Sequence, residues 1–259
     1  MLPAAMCRDP FLTCLSEFGY SIVRLPVADL DPLEMLVRRG DEFERFGRLS
    51  TLIEPGDPSS VLLVSRGRPA PSISGRRTGR LDLGLGLSLL GGVIAAMGGS
   101  RIGLDTTYRA ARTITFEFGG VIEDRVELAA LDRYLAGARL DRHAPEAAAL
   151  IADERLAVAT SVIRSRSLTV EARDEDGAAV EVDVPAVVQA ADGRLSVARA
   201  GDGTAAVTYS GRTPLAFGFR AVHLRYAGGR YAGFDPIEPG EAGLRNIGSG
   251  LRDARPRRA

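Results

Sequence analysis

The sequence predicts an α+β protein: a twisted, mixed, largely antiparallel sheet with long hairpins, helices at its periphery and a short C-terminal tail. Two patterns predict the sheet. Leu81, Leu83, Leu85, Leu87 and Leu89 alternate with Asp82, Gly84, Gly86 and Ser88, and Val180, Val182, Val184, Ala186 and Val188 share one parity opposite Glu181, Asp183 and Gln189. In a strand each series makes one apolar face. Turn signals at Asp174-Glu-Asp-Gly177, Asp192-Gly193 and Gly201-Asp-Gly203 divide the second half into hairpins. The third observation is bulk: 259 residues at 45% hydrophobic and 25% charged supply a full core and exclude a disordered or fibrous chain.

Taken in order, Asp9-Pro10 is an N-cap with proline at the first helical position, and Phe11, Cys14, Leu15 and Phe18 form an apolar stripe ending at Gly19, so a helix is expected over about 10–18. Cys14 on that stripe reads as a buried structural thiol. Tyr20 to Leu25 reads as a strand, and Asp31-Pro32 opens a second short helix through Leu33, Leu36 and Val37. Pro55 to Pro58 and Pro69 to Arg80 are loops. From Leu83 to Ser100 run 18 uncharged residues, the length of a membrane-spanning helix, but six glycines lie inside the run. Each interior glycine costs a helix about 1 kcal/mol relative to alanine. The period-two pattern therefore predicts a strand over 81–89, with a short apolar turn or helix from Leu89 to Met97.

A long strand is expected from Ile102 to Phe118, its even positions forming one largely apolar face broken by Arg112. Helices are expected at about 123–136, burying Val126, Leu128, Leu131 and Leu135, and at 145–156 behind Pro145. Strands follow at 156–172, 179–189, 194–199, 204–209 and 215–226. From Pro236 the chain is rich in Pro, Gly and Arg, with Leu244, Ile247 and Leu251 spaced at i, i+3 and i+7 for one small docking face.

Composition narrows the chemistry. All 33 basic residues are Arg, balanced by 33 acidic ones to a formal net charge of zero, so no global basic field holds nucleic acid. Residues 245–259 carry five Arg against one Asp, a local +4 that reads as a solvated end. Without Lys there is neither a Schiff-base nor a Walker-type lysine. Two His and two Cys make neither a soft-ligand zinc site nor a disulfide framework, and His143 and His223 lack a local Ser or Cys partner for a triad. No catalytic, cofactor or metal residue can be named, and the protein is expected not to be an enzyme. Arg8, Asp9 and Glu17 interrupt any secretory leader, so a cytoplasmic setting is expected.

The strings Cys7-Arg-Asp-Pro-Phe-Leu, Gly19-Tyr-Ser-Ile-Val-Arg-Leu-Pro26, Gly84-Leu-Gly-Leu-Ser-Leu-Leu-Gly-Gly92, Ala95-Ala-Met-Gly-Gly99, Thr115-Phe-Glu-Phe118 and Leu131-Asp-Arg-Tyr-Leu135, in this order, resemble the bacterial gasdermins. The resemblance covers most of residues 7–136. It implies a gasdermin N-terminal-like body over 1–235 and, over 236–259, a cleavage linker with a short autoinhibitory segment. It further implies a protein held inactive in the cytoplasm until a partner protease, caspase-like or trypsin-like, removes that segment. The freed body, a monomer at rest, then oligomerises into a large pore in the inner membrane and kills the cell in anti-phage defence. The family's N-terminal Cys corresponds to Cys7, which the resemblance makes the site of a covalent palmitoyl group; no other cofactor is implied. Met6-Cys7 allows a translation start at Met6 as well as at Met1.

With that resemblance in place, the alternating faces become candidate membrane-inserting hairpins, since a transmembrane β-strand needs roughly 9–11 residues with one face apolar. The lipid-facing residues expected are Leu81, Leu83, Leu85, Leu87, Leu89, Ile102, Leu104, Val158, Val162, Val180, Val182 and Val184. Arg112, Arg164 and Arg166, on the same parity, would lie beyond the bilayer edge. The activating cut is expected between about Pro236 and Arg245, in a region including Glu238 and Gly243, with Leu244 or Arg245 before the broken bond. Leu244, Ile247 and Leu251 would dock the tail. The alternative is a soluble β-rich binding or scaffold module, in which the same faces line an ordinary core.

Overall fold

The computed structural model describes residues 15–40, 42–54, 61–75, 77–78, 80–97, 103–141, 143–180, 196–199, 206–227, 230–239 and 243–244, without the side chains of Leu25, Leu85, Ser196 and Arg199. Cys7, Cys14, Ile102, Val182, Val184, Arg245, Ile247 and Leu251 lie outside them, as do most of the expected first helix and of strand 179–189. Leu15 and Ser16 close a helical turn that ends at Gly19, whose φ of +78° is left-handed. The expected first strand is present as β1, Ser21–Val27.

The helix expected after Pro32 is instead a strand, β2 (Glu34–Arg39), paired with β3 (Glu42–Arg48). Met35, Leu36 and Val37 are all buried. A strand covered on both faces reads as a continuous apolar run, which periodicity cannot tell from a buried helix. Next come α1 (Leu49–Leu52), β4 (Ile53–Glu54), β5 (Val64–Pro69) and β6 (Leu81–Asp82).

The largest correction follows. Leu83–Ala96 is a helix, α2, and the strand expected over 81–89 is reduced to β6. The same leucines satisfy both periods: Leu83, Leu87, Leu90 and Ile94 recur at helical spacing, and α2 packs that side onto β1 and the sheet strand containing Ile114. Glycine also serves the packing here, since a Cβ on Gly86 would lie 3.0 Å from the Ile114 Cβ. Burial of Leu90, Val93 and Ile94 outweighs the propensity cost.

The long strand expected from Ile102 is likewise divided. Gly103, at φ +86°, precedes α3 (Leu104–Thr107), and β7 (Thr113–Gly119) begins only after Arg112. Within β7 the expected alternation holds, with Ile114, Phe116 and Phe118 buried. The helix expected at 123–136 opens as β8 (Ile122–Val126) and continues as α4 (Leu128–Ala136), with Leu131 and Leu135 buried as expected but Leu128 43% exposed. After β9 (Arg139–Leu140), α5 (Pro145–Ala152) starts at the expected proline. The strand expected from 156 is β10 (Leu156–Arg173). β11 (Ser196–Arg199) precedes β12 (Ala206–Ala227), which joins the two strands expected at 204–209 and 215–226. The expected gap survives as an irregularity, because Ser165 pairs with Leu215 while Ser167 pairs with Ser210. β13 (Arg230–Pro236) folds back on β12, and β14 (Gly243–Leu244) ends the described chain.

β10 and β12, antiparallel along most of their length, form the spine. The main sheet runs β11-β12-β1-β14-β3-β2-β10-β7-β6, and because β10 also pairs with β12 the strands β12, β1, β14, β3, β2 and β10 close a circuit. The β5–β8 hairpin joins the sheet through β8 on β10. One core lies beneath α2 and α3, a second beneath α4 and α5, and a third, including Val23, Leu36, Phe43, Phe219 and Leu244, is shared by the strands of the circuit.

Candidate functional site

Two places stand out in the sheet: the closure made by the chain's last described residues, and the anchoring of β10. β14 is only two residues long, yet it lies parallel to both its neighbours, with Leu244 opposite Val23 of β1 and Phe43 of β3. Among the described residues it is the one element that connects β1 to β3. Gly243 permits the approach, for a Cβ there would stand 3.0 Å from both Ile22 Cγ2 and Arg24 Nε. Leu244 is fully buried. Upstream, Ile237 is buried in the same core and its N–H donates to the Ala221 carbonyl at 3.1 Å, while Glu238 is exposed. The expected cleavage region is thus divided into an exposed Glu238 and a sheet-bound Gly243 and Leu244.

β10 is held by a charge that is 5% exposed. Arg164 donates from Nε to Asp124 Oδ2 on β8 at 2.9 Å, from Nη1 to the Ala28 carbonyl at 2.7 Å, and from Nη2 to Asp31 Oδ1 at 2.8 Å and to the Leu30 carbonyl. Asp124 in turn accepts from the Gly67 N–H at 2.8 Å, and Arg66 reaches Asp31 at 3.0 Å. A buried guanidinium is tolerable because carboxylates and carbonyls take up its donors. This network ties β10, β8, the β5 turn and the segment after β1 into one unit. Arg164, expected beyond a bilayer edge, is in this form buried and paired, in a stretch of β10 that is covered on both faces. Its position inside an apolar series was the available signal.

Among the described residues, the expected lipid-facing side chains lie inside or pack against the core. Leu81, Leu104, Val158, Val162 and Val180 are buried, and Leu83, Leu87 and Leu89 pack against the core from α2. A buried hydroxyl pair, Tyr108 with Tyr209 at 2.7 Å, pins the end of the α3 segment to β12. Burial raises the pKa of both phenols, that of Tyr209 to about 12. Among the described residues no group of three or more His, Cys, Asp or Glu is placed to hold a metal ion, and no helix is long and apolar enough to cross a membrane.

A solved structure of a bacterial gasdermin from Bradyrhizobium tropiciagri superposes with a TM-score of 0.63 at 15% identity, covering 91% of this chain and 96% of that one, so the fold is gasdermin-like. The chain is 42% identical over 247 residues to a gasdermin of a Desulfuromonadales bacterium, covering 95% of this chain and 93% of the relative. It is 35% identical over 235 residues to one from Lysobacter enzymogenes, covering 90% and 87%. The model of the Bacterial Gasdermin Family matches residues 23–241. The chain belongs to the bacterial gasdermin family, whose members are pore-forming proteins.

Proposed function

We propose that the protein is an autoinhibited pore former whose resting state is closed by its own C-terminal segment. The observation that carries this reading is β14: the chain within the expected cleavage region supplies a strand between β1 and β3. Proteolysis by a caspase-like or trypsin-like partner would free the tail, and the body would oligomerise in the inner membrane as a lethal pore in anti-phage defence. Position decides what a cut releases. A break between Glu238 and Gly243 removes β14 with the tail; a break after Leu244 or Arg245 leaves β14 in place and removes only Ile247, Leu251 and the Arg-rich end. Tethering keeps the tail at high effective concentration until either occurs. The test replaces 238–242 with a foreign protease site in the full-length protein mixed with dye-loaded liposomes. Cleavage should release dye, and complete cleavage without release would sink the tail-release model.

On this reading α2, β6 and the α3 segment, together with β10 and residues 179–189, rebuild in lipid as two hairpins whose faces carry Leu81, Leu83, Leu85, Leu87, Leu89, Ile102, Leu104, Val158, Val162, Val180, Val182 and Val184. Backbone donors in a bilayer require a closed barrel, so the pore is a homo-oligomer. An Arg on the lipid face costs about 2–4 kcal/mol in every protomer. Leu85→Arg should therefore abolish dye release by the cleaved protein, and undiminished release would refute this face. Cys7 is the proposed palmitoylation site, an acyl chain contributing about 0.8 kcal/mol of membrane affinity per buried CH₂. Intact-mass measurement should show a fatty-acyl addition that Cys7→Ala removes; its persistence would place the group elsewhere.

A further inference from the structure

A cavity of about 470 Å³ opens beside the β5–β8 hairpin, a volume usual for small-molecule sites, and closure by β14 as proposed does not use it. It is lined by a row of residues in register across four strands. Ser65 of β5 lies opposite Arg125 of β8, Arg125 opposite Ser161 of β10, and Ser161 opposite Arg220 of β12. Hydroxyls and guanidiniums therefore alternate at the strand spacing of roughly 4.8 Å. Arg68, opposite Glu123, adds a third guanidinium to the lining.

The charges are arranged to leave cationic groups available. Glu123 and Glu127 also line the cavity, but Glu123 Oε1 already accepts from the Tyr20 hydroxyl at 2.8 Å and from Ser161 Oγ at 2.6 Å. Burial pushes the Tyr20 phenol up to about 12, so it remains a donor to that carboxylate. Arg220 is held in place: Nε donates to the Gly19 carbonyl at 3.1 Å, Nη2 to the Phe18 carbonyl at 2.7 Å, and the guanidinium lies 4.2 Å from the Tyr20 ring centroid. Carbonyls orient it without neutralising it. Among the described residues neither Arg68 nor Arg220 has a carboxylate within salt-bridge distance, and Arg125 reaches Glu123 only at 3.9 Å. The nine-residue helix α4 begins at the rim with no side chain capping it, which adds the positive end of its dipole.

We propose that this cavity binds a phosphorylated polyol. Three guanidiniums suit a phosphate dianion, and long arginine stems let their forked heads converge on it. The cavity is larger than an inorganic ion needs, and Ser65, Thr160 and the Glu127 carboxylate are placed to hydrogen-bond a hydroxylated body. Among the described residues no aromatic side chain lines the cavity, which disfavours a stacked nucleobase. A phosphate beside hydroxyls occurs in a soluble sugar phosphate, as a dianionic monoester, and in the phosphatidylglycerol head, as a monoanionic diester.

The experiment uses uncut full-length protein, titrated calorimetrically with glycerol 3-phosphate, a hexose 6-phosphate and inorganic phosphate, and co-sedimented with phosphatidylglycerol or phosphatidylcholine vesicles. The test variant is Arg68→Ala/Arg125→Ala, two exposed positions, accepted only with an unchanged melting temperature. A soluble ligand is indicated by saturable 1:1 binding of a phosphorylated polyol at least tenfold tighter than inorganic phosphate, and weakened at least tenfold in the variant. Sedimentation with phosphatidylglycerol alone, lost in the variant, identifies a lipid head instead. Equal weak binding of all three phosphates marks an adventitious ion only and overturns the proposal. So does binding that the variant leaves intact, or no binding in either format.

Discussion

Full-length protein carrying Leu244→Asp should permeabilise liposomes with no protease present. β14 contributes two residues and few backbone bonds, so its hold depends on the Leu244 side chain, buried with Val23, Leu36, Phe43 and Phe219. Burial of such a side chain contributes about 1.5–3 kcal/mol. Burying a carboxylate in its place costs several kcal/mol without a partner, so the strand leaves rather than accommodates it. Leu244→Met, which conserves volume, should remain closed. Dye release by Leu244→Asp should approach that of the cleaved protein. A silent variant whose tail is shown by hydrogen exchange to be detached would mean that β14 closes the sheet without restraining the pore.

Arg164→Ala should destabilise the resting protein by about 3–5 kcal/mol, the usual cost of removing one partner of a buried pair and leaving the other charged and unsatisfied. Two carboxylates are left: buried Asp124, still accepting from the Gly67 N–H and with Arg66 3.5 Å from its Oδ2, and the half-buried Asp31, which keeps Arg66 at 3.0 Å. Two backbone carbonyls, of Ala28 and Leu30, lose donors at the same time. Urea denaturation measures the effect, and Arg164→Ala/Asp124→Ala should recover part of it, giving a coupling energy of at least about 1 kcal/mol. Additive losses would show that the two side chains are anchored independently.

The sheet was legible where one face meets the core and the other meets solvent or a second layer. β7 alternates as the sequence reads, and β1, β10 and the start of α5 fall where prolines and turn residues place them, whereas β12 runs through the expected break. Legibility failed where both faces are covered or where one pattern serves two periods. Met35, Leu36 and Val37 are buried together in β2, which no spacing rule separates from a helix. In α2, the contact of Gly86 with Ile114 depends on residues 28 positions apart, so only the assembled fold reveals why glycine suits a helix there. Of the candidate site, the tail leucine was legible as an apolar residue in a polar stretch, and its seat between β1 and β3 was not. Two-residue parallel strands leave no periodic trace.

The double periodicity of residues 83–96 also has a consequence in length. As the helix α2, these 14 residues span about 21 Å at 1.5 Å per residue. Drawn out as a strand they would reach roughly 46 Å, farther than the roughly 30 Å hydrocarbon thickness of a bilayer. The helical form therefore keeps about 25 Å of contour coiled against β1 and β7, and insertion as proposed would need no extra sequence to cross from one leaflet to the other.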